Sequence, residues 1–98
     1  MAHELIIRPE AEVELSEAFN WYEMRVQGLG MDFLNAVEAA LQGIHRNPEA
    51  HLLVYKSIRR CLIRRFPYSI FYLVEPTRIV VLSVFHVRRN PADWKNRE

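Results

Sequence analysis

The sequence predicts an α+β fold in which an N-terminal strand is followed by an antiparallel helix hairpin and then by a three- to four-stranded antiparallel sheet. Apolar residues recur at helical spacing over residues 9–46. Residues 58–88 are instead rich in aromatic and β-branched residues, and turn residues divide them into short runs. A chain of 98 residues is long enough for one modest core. We therefore expect one domain over residues 1–98, with a basic tail at 89–98.

The first strand and the first helix meet at a proline. Residues Glu4 to Arg8 alternate weakly between apolar and polar side chains, as a short strand does. Pro9 suits the first position of a helix, where its missing N–H leaves no hydrogen bond unmade. Gly28 and Gly30 bracket the turn that ends this helix. The apolar residues of its inner face are Ala11, Leu15, Ala18, Phe19, Tyr22 and Val26.

A second amphipathic helix follows directly. Its apolar stripe consists of Phe33, Val37, Ala40, Leu41 and Ile44. Asn47-Pro48 ends the helix, because the residue before a proline is disfavoured in helical geometry. Two helices joined by so short a turn form an antiparallel hairpin, and neither can bury its stripe without the sheet.

The C-terminal half of the chain is predicted to form that sheet. Arg59–Arg65, Tyr68–Val74 and Ile79–Val87 have strand character, and Leu52–Tyr55 is compatible with a further brief strand. Regular alternation along the last strand would place Val80, Leu82, Val84, His86 and Arg88 on one face and Ile79, Val81, Ser83, Phe85 and Val87 on the other. Because both faces are largely apolar, we expect this strand to lie inside the sheet.

Composition excludes several classes of protein. An apolar share of 50% with 26% charged residues is typical of a folded chain. No apolar run approaches the ~20 residues of a membrane span, and the N-terminus lacks a signal-peptide pattern. Cys61 is the only cysteine, so an intrachain disulfide and a cysteine-rich zinc site are excluded. We expect a cytoplasmic protein with no cofactor and no bound metal.

The two halves of the chain carry opposite charge. Residues 1–50 contain nine acidic and three basic residues, whereas residues 51–98 contain three acidic and ten basic ones. The small net charge of +1 therefore conceals a dipolar molecule. Its basic half is expected to attract an acidic partner.

Arginines dominate the basic half and are the first candidates for binding. They stand at predicted strand ends, where charged side chains also keep sheet edges soluble. Lysine would serve that purpose as well, whereas the guanidinium fork matches carboxylate and phosphate groups. We therefore predict that an acidic partner binds the following four: Arg59, Arg60, Arg64 and Arg65.

The end of the last strand supplies the other candidates. Arg88, Arg89 and Trp94 are predicted to contact a target, because a tail is seldom recruited to fill a core. The ordinary pKa of histidine would suit His86 to proton transfer, but a lone histidine is more often a packing residue. The aromatic residues of the helix and strands admit core, interface or base-stacking roles, and core is favoured: Trp21, Tyr22, Phe66, Tyr68, Phe71 and Tyr72.

Several short motifs occur in a distinctive order along the chain. They are Arg8–Ala11 (RPEA), Trp21–Glu23 (WYE), Gly28–Gly30 (GLG), Asn47-Pro48, Arg65–Tyr72 (RFPYSIFY) and Val84–Pro91 (VFHVRRNP) with Trp94. In these motifs the chain resembles the RelE/ParE superfamily of bacterial toxins from type II toxin–antitoxin modules. It is most similar to the ParE branch, whose members are often labelled plasmid stabilisation proteins. The resemblance implies a cognate antitoxin protein and a toxin–antitoxin hetero-oligomer.

The two branches of this superfamily imply different activities. RelE-like toxins cleave mRNA on the ribosome, and typically end the last strand with lysine followed by arginine, with a tyrosine in the tail. Here His86 and Val87 occupy those strand positions, and the tail has no tyrosine. If the protein were nevertheless a nuclease, the groups left to hold and protonate the scissile phosphate would be His86, Arg59, Arg64 and Arg88.

ParE-like toxins are associated with poisoning of DNA gyrase by binding, without chemistry of their own. That activity needs no general base, so it fits these residues better. The favoured interpretation is a non-enzymatic toxin that inhibits growth through DNA gyrase. Ribosome-dependent mRNA cleavage is the alternative, and a non-toxic module that binds nucleic acid on its basic sheet is a further one.

Overall fold

In a computed structural model, which describes residues 3–89, 95 and 97, two helices pack on one face of a sheet. In chain order the elements are β1 (Glu4–Ile7), α1 (Pro9–Arg25), α2 (Leu29–Arg46), a 3₁₀ turn (Pro48–Ala50), β2 (Leu52–Tyr55), β3 (Ile58–Leu62), β4 (Tyr68–Val74) and β5 (Arg78–His86). The predicted α+β class and order of elements are confirmed.

The sheet has the strand order β1-β5-β4-β3-β2. Strands β2 to β5 form the predicted antiparallel part. Strand β1 adds a fifth strand and pairs in parallel with β5, with Glu4 opposite Arg78 and Ile7 opposite Val81. Strand β5 therefore lies between two neighbours, as its two apolar faces predicted. Beyond Val81, however, no strand of the described residues pairs with the outer edge of β5.

Two glycines and one carboxylate form the turn between the two helices. Gly28 adopts a φ of 89°, a left-handed conformation that costs glycine little. The Glu23 carboxylate accepts hydrogen bonds from the N–H groups of Gly28 and Gly30, at 2.9 Å each. A Cβ atom on Gly30 would lie 2.6 Å from the ring of Phe19, so only glycine permits this approach of the helices. Glu23 thereby satisfies N–H groups that the start of α2 leaves unpaired.

The larger core lies between the helices and the sheet. Tyr22, Phe33 and Phe66 pack together there, with ring centroids 5.0–5.3 Å apart. The stripe predicted for α1 is wrong at its last position, since α1 ends at Arg25 and Val26 is 61% exposed. Trp21 lies beside the stripe and is half exposed, whereas Tyr22 belongs to the core.

A smaller apolar cluster covers the opposite face of the sheet, and a bulge in β5 determines which residues join it. Tyr72 pairs with Val81 and Phe71 pairs with Ser83, so Leu82 is an extra residue. An inserted residue shifts the side-chain alternation beyond it. The predicted faces are therefore wrong after the bulge: Val84 joins Ile79 and Val81 on the helix side, whereas Phe85 joins Val80 and Leu82 on the opposite face.

Neither helix in the described part of the chain is both long enough and apolar enough to cross a membrane.

Candidate functional site

A groove runs between α1 and the C-terminal end of β5, where β1 no longer covers the strand edge. Its volume is about 650 Å³, within the range of small-molecule and peptide side-chain sites. We call it the α1 groove, and its lining residues are Glu14, Glu17, Ala18, Trp21, Tyr22, Pro67, Tyr68, Val84, His86, Arg88 and Arg89. It therefore combines acidic residues from α1 with basic residues from the end of β5.

Glu14 closes the strand edge at the floor of this groove. Its Oε1 atom accepts hydrogen bonds from the Ser83 hydroxyl at 2.9 Å and from the N–H of Val84 at 3.1 Å. The Arg97 guanidinium donates to the same oxygen at 3.0 Å and to the Leu82 carbonyl at 3.4 Å. This role of Glu14 could not be predicted from the sequence, because an acid in the first turns of a helix is already explained by the helix dipole.

The His86 ring is held on both sides. Its edge packs against the Tyr68 ring, with centroids 5.1 Å apart, and its Nδ1 atom accepts a hydrogen bond from the N–H of Arg88 at 3.1 Å. The neutral ring therefore carries its proton on Nε2. Nδ1 is occupied by the backbone, so only Nε2 can serve a ligand, and in the neutral ring it serves as a donor.

The phenols of the α1 groove are poor bases. Burial raises the pKa of Tyr68, the Arg89 guanidinium lowers it, and the carboxylates of Glu14 and Glu17 raise it again, with a net upward shift. Burial, and then the neighbouring Tyr68, raise the pKa of Tyr22. Both phenols consequently remain protonated at neutral pH, where they can donate hydrogen bonds and offer apolar surface.

Arg88 and Arg89 follow β5 after Val87, and both are exposed. Backbone hydrogen bonds fix their position: the N–H of Val87 donates to the Pro67 carbonyl at 2.9 Å, and that of Arg89 donates to the His86 carbonyl at 3.1 Å. The structure thus brings both arginines to the rim of the α1 groove beside His86. Trp94, the third predicted contact residue, lies outside the described residues.

Arg59 is used within the fold. Its Nη1 atom donates to the backbone carbonyls of Glu49 at 3.1 Å and His51 at 2.6 Å, which fixes the segment after α2. Arg59 pairs with Tyr72, whereas His86 pairs with Tyr68, four residues away on β4. Four residues of a strand span roughly 13 Å. The structure therefore does not bring Arg59 to His86, as a joint catalytic role would require.

The other three predicted arginines lie at two separate places on the surface. Arg64 and Arg65 lie in the turn after β3 and line a separate, open cavity beside Asp32 and Asn35 of α2. Arg60 is exposed on the sheet face opposite the helices, next to the cavity that also holds Lys95. The four predicted arginines thus do not form one patch, and of the suggested nuclease set only His86 and Arg88 share a cavity.

The class of fold is shared by a protein of known structure. A solved structure described as the chromosomal ParDE TA system from P. aeruginosa matches with a TM-score of 0.79, covering 89% of this chain and 98% of that one. The two sequences are 13% identical, so this likeness shows the fold. No curated protein sequence matches the chain.

The sequence then gives the family within that class. The family model described as "ParE toxin of type II toxin-antitoxin system, parDE" matches residues 5–91. The chain therefore belongs to the ParE toxin family. Membership implies a cognate antitoxin as partner.

Proposed function

We propose that the protein inhibits growth by binding DNA gyrase in the cytoplasm, without cutting RNA. The observation that carries this proposal is that neither the phenols nor the imidazole of the α1 groove is placed to act as a base, while Glu14, one of its two carboxylates, is engaged with β5 and Arg97. Tyr22 and Tyr68 have raised pKa values, and Nδ1 of His86 accepts a backbone hydrogen bond. Cleavage of RNA through the 2′-OH needs a group that removes its proton, whereas inhibition by binding does not.

Arg88 and Arg89 would make the main contacts with the target. They are exposed at the rim of the α1 groove, and Trp21, half exposed, borders the same groove. Arginine and tryptophan are the residue types most enriched among interface hot spots. Guanidinium groups also match carboxylates and phosphates, both of which a DNA-bound enzyme presents. Trp94 is proposed to extend this surface.

A cognate antitoxin would neutralise the toxin in a hetero-oligomer. Arg60, Arg64 and Arg65 remain exposed and are proposed to bind its acidic residues, whereas Arg59 is engaged within the fold. Association should slow as salt screens the basic half. Stopped-flow measurements at increasing salt test this, and an association rate that does not depend on salt would contradict it.

The RelE-like alternative is supported by one observation, the placement of His86 beside Arg88 at the α1 groove. Two parallel assays separate the proposals. We expect purified protein to inhibit supercoiling by DNA gyrase and to leave mRNA intact in a translation extract. Site-specific mRNA cleavage that is lost in His86→Ala but kept in the exposed control Arg46→Ala would instead establish the nuclease.

A further inference from the structure

A second cavity lies on the sheet face opposite the helices, on the far side of β4 and β5 from most of the α1 groove. Its volume is about 260 Å³, just below the ~300–1,000 Å³ of sites for drug-sized ligands. We call it the second-face pocket, and it is defined by Arg60, Ser69, Phe71, Phe85, Arg89 and Lys95. Phe71 and Phe85 belong to the apolar cluster of this face and provide the floor.

Among the residues that the structure describes, the charges around the second-face pocket are all positive. Three cationic side chains line it, and no carboxylate of the described residues does. Arg60 makes no ion pair with any residue that the structure describes. The Arg89 guanidinium lies 5.8 Å from the Phe85 ring centroid and the Lys95 ammonium 5.0 Å from that of Tyr55, so aromatic faces hold both cations in place.

The three cationic side chains around the second-face pocket favour the binding of an anion. Like charges held around one small cavity repel each other, and an anion in the cavity would relieve that repulsion. The α1 groove differs, because Glu14 and Glu17 there balance Arg88 and Arg89. The second-face pocket is thus the better anion site of the two.

We propose that the second-face pocket binds the phosphate group of a nucleotide. Two guanidinium forks and an ammonium supply enough donors for a tetrahedral dianion, which presents more acceptor oxygens than a carboxylate. Phe71 and Phe85 are themselves buried and close the base of the pocket, so the phosphate is the group that is recognised. The volume accommodates one such group and excludes a folded polyanion. This inference does not depend on gyrase being the target.

Arg89 links the new site to the rest of the molecule, because it lines both the second-face pocket and the α1 groove. A phosphate in the second-face pocket draws the Arg89 guanidinium towards that face. Nucleotide binding is therefore expected to alter the electrostatics at the rim proposed to contact the target.

Isothermal titration of the purified protein at low salt tests the site, with adenosine 5′-monophosphate as the probe and adenosine as its matched neutral control. We expect saturable binding of the monophosphate and no binding of adenosine. Arg60→Gln and Lys95→Gln should each weaken binding about tenfold, the loss of one charge-assisted contact. Arg46→Gln, which removes an equal charge from an exposed site on α2, should leave binding unchanged.

Three results would overturn the proposal: equal binding of adenosine, no binding of the monophosphate, or an equal loss in Arg46→Gln and Arg60→Gln, which would indicate general charge attraction. Circular-dichroism melts of Arg60→Gln should match wild type, since the side chain is exposed. An oligonucleotide with and without a 5′-phosphate identifies the source of the phosphate. If the oligonucleotide binds more tightly than adenosine 5′-monophosphate, and only when it carries the 5′-phosphate, the site is assigned to the end of a nucleic acid. If the phosphorylated oligonucleotide and the monophosphate bind with equal affinity, the site is assigned to free nucleotide.

Discussion

The Arg97 guanidinium lies 3.0 Å from Oε1 of Glu14 and so links Arg97 to α1. Both side chains are largely buried, with 19% and 10% of their surface exposed. The same oxygen accepts hydrogen bonds from Ser83 and Val84, on the part of β5 that β1 does not cover. Glu14 therefore accepts a backbone hydrogen bond that a neighbouring strand would otherwise accept, and it also forms an ion pair with Arg97.

Removing the Glu14 carboxylate should destabilise the protein markedly. Glu14→Ala leaves the Val84 N–H, the Ser83 hydroxyl and the Arg97 guanidinium without their acceptor, for an expected loss of about 2–4 kcal/mol. Glu12→Ala, on an exposed position of the same helix, should cost less than about 1 kcal/mol. Urea unfolding measures both, and equal losses would show that Glu14 acts only through the helix dipole.

Adjacent arginines of β3 should behave differently. Arg59→Ala removes donors from the carbonyls of Glu49 and His51, and we expect a loss of about 1–3 kcal/mol. Arg60→Ala removes an exposed side chain and should change stability by no more than about 0.5 kcal/mol. The pair is its own control in thermal melts. If Arg60→Ala proved the more damaging, the assignment of Arg59 to the fold would be wrong.

Stability should fall in alkaline solution because of a buried phenol. Burial raises the pKa of Tyr72 from 10.0 to about 12. Cys61 adds a smaller increase to this pKa, and Arg59 lowers it. The unfolded chain loses this proton near pH 10 while the folded chain keeps it, so the contribution is complete below pH 10 and is lost as the pH rises to about 12. A shift of this size corresponds to about 2–3 kcal/mol.

Tyr72→Phe tests that assignment. The Tyr72 hydroxyl donates to the Pro48 carbonyl at 2.6 Å, so the variant should be less stable by about 1 kcal/mol at pH 8. Its stability should then decline less steeply than that of wild type between pH 10 and pH 12, although Tyr22 and Tyr68 contribute in the same direction. Parallel declines measured by urea unfolding would contradict the raised pKa of Tyr72.

Substitutions at two positions should distinguish an effect on toxicity from an effect on stability. Arg88→Ala removes an exposed guanidinium at the α1 groove and should relieve growth arrest without lowering the melting temperature. Phe71→Ala empties a buried site on the opposite face, at an expected cost of about 3–5 kcal/mol. Growth assays paired with circular-dichroism melts distinguish the two effects. An Arg88→Ala protein that melts as early as Phe71→Ala would make Arg88 structural.

Periodicity predicted the elements well where one face of an element is buried over its whole length. The stripe of α2 is an example, since Phe33, Val37 and Ile44 are all buried. The bulge at Leu82 was not predictable, because both faces of this strand are apolar whether or not it contains an extra residue. Nor does alternation in four residues reveal that β1 would pair with β5, since that contact joins opposite ends of the chain.

The site was predictable only in part. Exposure of Arg88 and Arg89 followed from their place after the last apolar strand. The different roles of Arg59 and Arg60 depend on which face of the sheet each side chain occupies. They also depend on the backbone carbonyls that the 3₁₀ turn brings close to Arg59, and the local sequence specifies neither feature. The role of Glu14 likewise depends on where β1 stops along β5.

A supercoiling titration with purified DNA gyrase tests the central claim most directly. Wild-type protein and Arg46→Ala should inhibit at the same concentration, whereas Arg88→Ala should need roughly tenfold or more protein, as expected for the loss of one charged contact. Failure of the correctly folded wild-type protein to inhibit gyrase, or equal inhibition by Arg88→Ala, would contradict the proposed target or the proposed site.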